Sequence, residues 1–224
     1  MKVVILAGGQ GTRMIEYTKT IPKPMVKINK IPIIVHIMKH YYSFGYKDFL
    51  IATGYKSKVI KDYFKINKFK WNIKIINTGK KTMTGGRLKR LEPYLKKEKF
   101  LMTYGDGLSN INLKKLVNFH NKNKKIMTLT AVRPPARFGA LKISGNYVKY
   151  FKEKSQIDEG WINGGFFVIE PKIFSYIKDD KTIFEKKPME KLTLKKQLIA
   201  FKHKDFWQCL DTKRDVDLLR KKIK

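Results

Sequence analysis

The sequence predicts an α/β fold, a largely parallel central sheet with helices on both faces and a small β-rich elaboration after it. Three observations carry that reading. Short apolar runs alternate with amphipathic stretches through residue 132, the pattern of strands joined by crossover helices. Glycine-rich breaks directly follow the first and fourth apolar runs, where the carboxyl ends of parallel strands gather ligands. Finally, 224 residues with 42% hydrophobic and 12% aromatic content supply enough apolar surface for one real core. The chain therefore reads as a single domain over 1–224.

The first strand is Val3–Ala7, continuous and apolar, as a strand buried on both faces must be. It breaks into Gly8-Gly9-Gln10-Gly11, followed by Thr12 and Arg13. Glycines without a Cβ let backbone approach a ligand, and loop N–H groups left unpaired at a strand end make an anion site. Lys23, inside Pro22-Lys23-Pro24-Met25, adds a second fixed cation, and its flanking prolines predict an extended segment. The loop lacks the Gly-Lys-Ser/Thr ending of a P-loop and the third glycine of a dinucleotide fold. Read with the cations, it predicts a triphosphate site; read alone, it is a glycine-rich turn.

Helices are expected near Pro32–Phe44, Lys56–Lys65, Gly86–Leu95 and Leu113–Asn121, between strands Phe49–Thr53, Ile73–Asn77, Phe100–Tyr104 and Ile126–Val132. In Thr82-Met83-Thr84-Gly85-Gly86-Arg87 the glycines open the backbone to a base, and Arg87 reaches a phosphate or carbonyl oxygen. An amphipathic helix with Arg87, Lys89 and Arg90 on its polar face reads the same. Asp106, in Tyr104-Gly105-Asp106-Gly107, is placed to hold a hard cation or to make an Asp-Gly turn.

After Val132 come short strands at Ala140–Ile143, Tyr147–Lys152, Phe166–Ile169, Leu198–Phe201 and Phe206–Cys209. Helices follow near Pro171–Ile177 and Glu185–Lys195, with a last one from Thr212. Residues 1–132 read as mainly nucleotide-binding, and 133–224 as mainly acceptor-binding. Asp211 is either the second cation ligand or the N-cap of the last helix. If Thr212 is the cap, Asp215 completes a capping arrangement three residues on. Gly139, Glu153-Lys154 and Asn163-Gly164 are polyol or phosphate contacts, or ordinary turns. Trp71, Trp161 and Trp207 read as core or rim aromatics.

Composition removes several functional classes. The chain carries 50 Lys and Arg against 18 Asp and Glu, a net charge of +32. Only seven of those cations are arginine, whereas nucleic-acid recognition favours arginine's planar fork. The lysines are spread along the chain and read as solvated faces, with no specific nucleic-acid partner expected. No apolar run approaches the roughly 20 residues of a bilayer span, so no membrane role is expected, and Val3–Ala7 is too short for a signal-peptide core. The single cysteine, Cys209, offers neither an internal disulfide nor a metal spacing, which points to a cytoplasmic protein.

Across nearly its whole length the chain resembles the sugar-1-phosphate nucleotidyltransferases, and within them the glucose-1-phosphate cytidylyltransferase branch. The glycine loop with Arg13 and Lys23 carries the family likeness. Five further stretches carry the branch. They are Thr82 to Arg90, Thr103 to Gly107, Pro134 to Leu141, Ile162 to Val168 and Phe206 to Thr212. The resemblance implies a Rossmann-like, nucleotide-diphospho-sugar transferase-like fold whose substrates are CTP and a sugar 1-phosphate. Leu6, Ala7, Gly8, Gly9, Gly11, Thr12, Thr82, Arg87 and Gly105 would line the nucleotide pocket. Arg13 and Lys23 would hold phosphates as the catalytic cations, while Asp106 and Asp211 would bind Mg2+. Gly139, Glu153, Lys154, Asn163 and Gly164 would meet the acceptor. A homo-oligomer is the assembly to test. The family has a long excursion between the helix ending near Phe64 and the strand at Ile73, continues past Asp215, and has proline where Ser155 stands. Related chemistry with another base or acceptor, such as heptose phosphate guanylyl transfer, is the alternative within enzymes; a nucleotide-binding module without turnover is the alternative outside them.

Overall fold

The computed structural model describes residues 1–134, 140–152 and 160–223. In chain order its strands are β1 (Val3–Ala7), β2 (Lys27–Ile28), β3 (Ile31–Pro32), β4 (Asp48–Thr53), β5 (Asn72–Asn77), β6 (Phe100–Tyr104), β7 (Gly107–Ser109) and β8 (Met127–Val132). They continue with β9 (Ala140–Ser144), β10 (Tyr147–Lys152), β11 (Ile162–Ile169), β12 (Leu198–His203) and β13 (Trp207–Cys209). Seven of them form the main sheet in the order β12-β8-β11-β6-β1-β4-β5. The run β6-β1-β4-β5 is parallel, and β11 alone runs against its neighbours.

Alternation along each strand builds a core on both faces of this sheet. Val3, Ile5, Phe49 and Ile51 point to one side, under the helices Ile33–Ser43 and Leu113–Asn123. Val4, Leu6, Leu50 and Met102 point to the other, where Leu88, Leu91 and Leu192 cover them. Each of these side chains is at most 7% exposed, and burying one contributes roughly 1.5–3 kcal/mol before cavity effects. Because β1 and β6 are adjacent and parallel, Leu6 sits beside Tyr104, so the glycine loop and the Gly105-Asp106-Gly107 turn leave the same edge.

Four details differ from the sequence expectation. Lys23 is not extended: Lys23-Pro24-Met25 forms a 3-10 turn, with Met25 N donating to Pro22 O at 2.8 Å. Pro24 lies at the start of that turn, where a missing N–H costs nothing. The helix expected over Gly86–Leu95 breaks into Thr84–Lys89 and Glu92–Leu95, because Pro93 has no N–H to continue the ladder. Pro171–Tyr176 is a 3-10 helix. Finally, β7 and the β2–β3 hairpin add strands beyond those the sequence pattern predicts. The hairpin turn uses Asn29 and Lys30 at φ 48° and 70°, a primed turn without its usual glycine.

Candidate active site

β7 matters most for the site. It pairs antiparallel with β13, setting Cys209 opposite Gly107, and Leu210 N donates to Asp106 O at 2.9 Å. That ladder carries Asp211 across the chain to stand next to Asp106. Thr212 is the N-cap of the helix Lys213–Lys222, with Asp215 completing the capping box. Asp215 Oδ2 also accepts from Asp211 N at 2.9 Å. The cap reading of Asp211 therefore fails, and its carboxylate is free to face inward.

Lys23 lies between the two aspartates. Its Nζ is 2.7 Å from Asp106 Oδ2 and 2.6 Å from Asp211 Oδ1. Burial pulls the ammonium pKa down, but the two carboxylates outweigh it and leave Lys23 above the ordinary lysine value. For Asp211 burial pushes upward, yet Lys23, the Cys209 thiol and Arg13 hold it below the usual carboxylate value. Burial and the Asp211 charge push the Cys209 thiol up to about 12, so it is protonated and inert. Arg13 stands 3.4 Å from Asp211 with its side chain 78% exposed.

These groups open into a cavity of about 850 Å³, in the size range of small-molecule sites. Leu6, Ala7, Gly8, Gly9, Gly11, Thr12, Arg13 and Lys23 line it. Thr82, Arg87, Gly105, Asp106, Asn163, Gly164 and Asp211 complete the expected set. Gly11, at φ 66°, starts the 3-10 turn Thr12–Met14 that aims Arg13. Trp207 Nε1 donates to Gly164 O at 2.7 Å, tying β11 to the aspartate strand. The expected acceptor contacts Gly139, Glu153 and Lys154 lie outside the described residues. Met83, Thr84, Tyr104 and Glu185 also line the cavity without having been singled out as contacts.

The Thr82–Arg87 segment is built differently from its expectation. Gly85 and Gly86 do not open onto the cavity to receive a base. A Cβ on Gly85 would lie 2.7 Å from Thr182 O, and one on Gly86 2.5 Å from the Asp180 backbone. Their glycines allow the helix start to pack against the 180–182 loop, whose Thr182 O accepts from both amides. Arg87 is 4% exposed. Its guanidinium donates to Thr53 O at 3.2 Å, Thr78 Oγ1 at 2.9 Å, Gly79 O at 2.7 Å and Gly8 O at 2.9 Å. It thus ties together the ends of β1, β4 and β5, and a Cβ on Gly8 would collide with it. Burial and the nearby Arg90 pull its pKa below the ordinary arginine value, while it remains charged.

Arg87→Met should therefore destabilise the protein by roughly 2–4 kcal/mol, since each buried acceptor left unpaired costs about 1–3 kcal/mol. Arg87→Lys should not restore it, because a point charge cannot span four acceptors. Denaturant unfolding of both variants checks this; a change below about 1 kcal/mol, the size of an ordinary substitution, would mean the strut carries no stability.

A family model described as Nucleotidyl transferase matches residues 2–214. The glucose-1-phosphate cytidylyltransferase of Salmonella typhi is 46% identical over 239 residues, covering 96% of this chain and 93% of the relative. A probable glucose-1-phosphate cytidylyltransferase of Bacillus subtilis (strain 168) is 40% identical with the same coverage. Among solved structures, HddC from Yersinia pseudotuberculosis complexed with GMP-PN superposes with a TM-score of 0.78 at 28% identity. It covers 100% of this chain and 99% of that one. The architecture is the nucleotide-diphospho-sugar transferase fold. Among the described residues no helix is long and apolar enough to cross a membrane.

Proposed function

This chain belongs to the nucleotidyl transferase family, and from that premise we propose that it joins CTP to glucose 1-phosphate, giving CDP-glucose and pyrophosphate in the cytoplasm. The choice of CTP and glucose 1-phosphate rests on the likeness to the Salmonella and Bacillus relatives, and the observation that supports the transfer chemistry is the Lys23 ammonium held between Asp106 and Asp211 beside the glycine loop. A phosphate oxygen of the sugar 1-phosphate attacks the α-phosphorus of CTP, and the bond to the β-phosphate breaks. With a second pKa of about 6, the acceptor is already a dianion at neutral pH, so no general base is required. No histidine lines the cavity among the described residues. Lys23 and Arg13 neutralise and align the phosphates, which is most of what phosphoryl chemistry asks of a protein.

The donor set fits Mg2+. Asp106 and Asp211 offer hard carboxylate oxygens already gathered around one cation. Among the described residues no cluster of three or more potential ligands adds to them. That suits an ion usually held by one or two carboxylates together with substrate phosphates and water. When bound there, the ion adds positive charge beside the transferred phosphate.

With Arg87 committed to three backbone carbonyls and the Thr78 hydroxyl, base reading falls to Thr82 and the loop backbone around it. Cytosine differs from uracil by a donor amine at position 4 and an unprotonated ring nitrogen at position 3. A site that satisfies this edge with buried groups leaves a polar atom unpaired for the wrong base. CTP should be preferred over UTP, GTP and dTTP by at least roughly 100-fold in kcat/KM, about 2.7 kcal/mol. Pyrophosphate release from each nucleotide with glucose 1-phosphate tests both claims. Turnover favouring GTP or dTTP would remove the cytidylyl assignment and leave the family intact; no turnover with any would remove the glucose 1-phosphate assignment.

A further inference from the structure

Three carboxylates line the cavity, and Lys23 engages two of them. The third is Glu185, in the turn that precedes the helix Lys187–Leu194. Its Oε1 accepts from the Tyr104 hydroxyl at 2.5 Å and its Oε2 from the Thr84 hydroxyl at 2.6 Å. Thr84 Oγ1 in turn accepts from Phe184 N at 2.9 Å. The carboxylate is thus oriented by segments 81 and 101 residues away. A carboxylate has about four lone-pair positions, and among the described residues these hydroxyls occupy one on each oxygen.

Such a group is unsuited to a phosphate, which it repels. Its remaining lone pairs call for a neutral donor, and bonds to a charged acceptor are about twice as strong as neutral ones. The substrates proposed above offer three kinds of donor: the cytosine amine, the ribose hydroxyls of CTP and the hydroxyls of the acceptor sugar. Position favours the acceptor sugar. Gly8 lies against Arg87, and Thr82 against Gly79, which Arg87 also binds. Glu185 is braced from that side by Thr84, two residues on from Thr82. From the other it is braced by Tyr104, whose hydroxyl also meets the Asn163 side chain on the β11 wall, where Asn163 and Gly164 are the expected acceptor contacts. The Tyr104 hydroxyl, donating to Oε1, holds the carboxylate in place.

We infer that Glu185, braced by Tyr104 and Thr84, accepts a hydroxyl of the acceptor sugar and thereby sets which sugar 1-phosphates are used. This rests on the reaction proposed above. Its test is the steady-state kinetics of Glu185→Gln with CTP, glucose 1-phosphate and the 2-, 3-, 4- and 6-deoxy analogues. In the unaltered enzyme one deoxy analogue should lose at least about tenfold in kcat/KM, the size of one hydrogen bond to a charged group. In Glu185→Gln the KM for glucose 1-phosphate should rise by a similar factor, the KM for CTP should stay within twofold, and the penalty for that analogue should vanish. Tyr104→Phe, which releases one brace, should weaken the same analogue preference and serves if Glu185→Gln does not fold. A purely structural role would lower thermal stability and leave the analogue pattern unchanged, overturning the inference. A raised KM for CTP would overturn it too, in favour of the cytosine amine if discrimination against UTP relaxes and of the ribose hydroxyls if it does not. Absence of turnover in the unaltered enzyme with glucose 1-phosphate would count against the reaction instead, and calorimetric binding of the sugar phosphates to both proteins would then decide the role of Glu185.

Discussion

Asp106→Asn and Asp211→Asn should each lower kcat/KM by at least about a thousandfold, or about 4 kcal/mol of barrier, while the protein still folds. Each substitution removes a negative charge without changing side-chain volume. Both carboxylates lie on ordered backbone: Asp106 follows β6 and passes its carbonyl to Leu210 N, and the Asp211 amide is held by Asp215. Their positions do not depend on the charge being lost. What would be lost is half of the proposed two-carboxylate cation site, and an amide oxygen is a poor substitute as a ligand for a hard divalent ion. The measurement is pyrophosphate release across a range of Mg2+ concentrations, beside a thermal melt of each variant. Activity within tenfold of normal in either one would remove that residue from the site.

Much of this arrangement is legible in the residues. The apolar runs Val3–Ala7 and Phe100–Tyr104 are strands to the residue, because a continuous β-prone run ended by glycine leaves little choice. Asp106 and the glycine loop share an edge because both follow parallel strands. Asp215, offered by sequence as a capping partner three residues after Thr212, fills that role. What sequence could not give is pairing at long range. Gly107–Ser109 is too short and polar to read as a strand, and it exists because β13 binds it. Without that ladder nothing local says that Asp211 reaches Asp106.

The glycines of Thr82–Arg87 show the other limit. A Gly-Gly pair signals that something comes close, but not what. Here it is the Asp180–Thr182 backbone, about a hundred residues on. Glu185 gave no signal at all: it stands between Phe184 and two lysines, flanked by neither glycine nor a strand end. Only its distant hydroxyl partners bring it into the cavity.

Lys23→Ala should raise the nucleotide KM and lower kcat together, each by roughly tenfold or more, because a phosphate-binding lysine acts both before and during transfer. The 3-10 turn strengthens this expectation. Pro22 and Pro24 fix the backbone on either side, and the side chain is 13% exposed, so the ammonium has little room except between the aspartates and the cavity. Its contacts with the two aspartates add a second readout. A divalent ion at Asp106 and Asp211 must displace the ammonium that now bridges them. Removing the ammonium should therefore let Mn2+ bind more tightly without nucleotide, by at least about tenfold, which is 1.4 kcal/mol. Arg13→Met, which removes a charge 3.4 Å from Asp211 without vacating the space between the carboxylates, should change that affinity far less. Titration of Mn2+ by electron paramagnetic resonance compares the three proteins directly. If Lys23→Ala leaves both kinetic parameters within about twofold, a difference of only about 0.4 kcal/mol, Lys23 does not hold the phosphates. If Mn2+ binds Lys23→Ala and the unaltered enzyme alike, the lysine and the metal do not share a position.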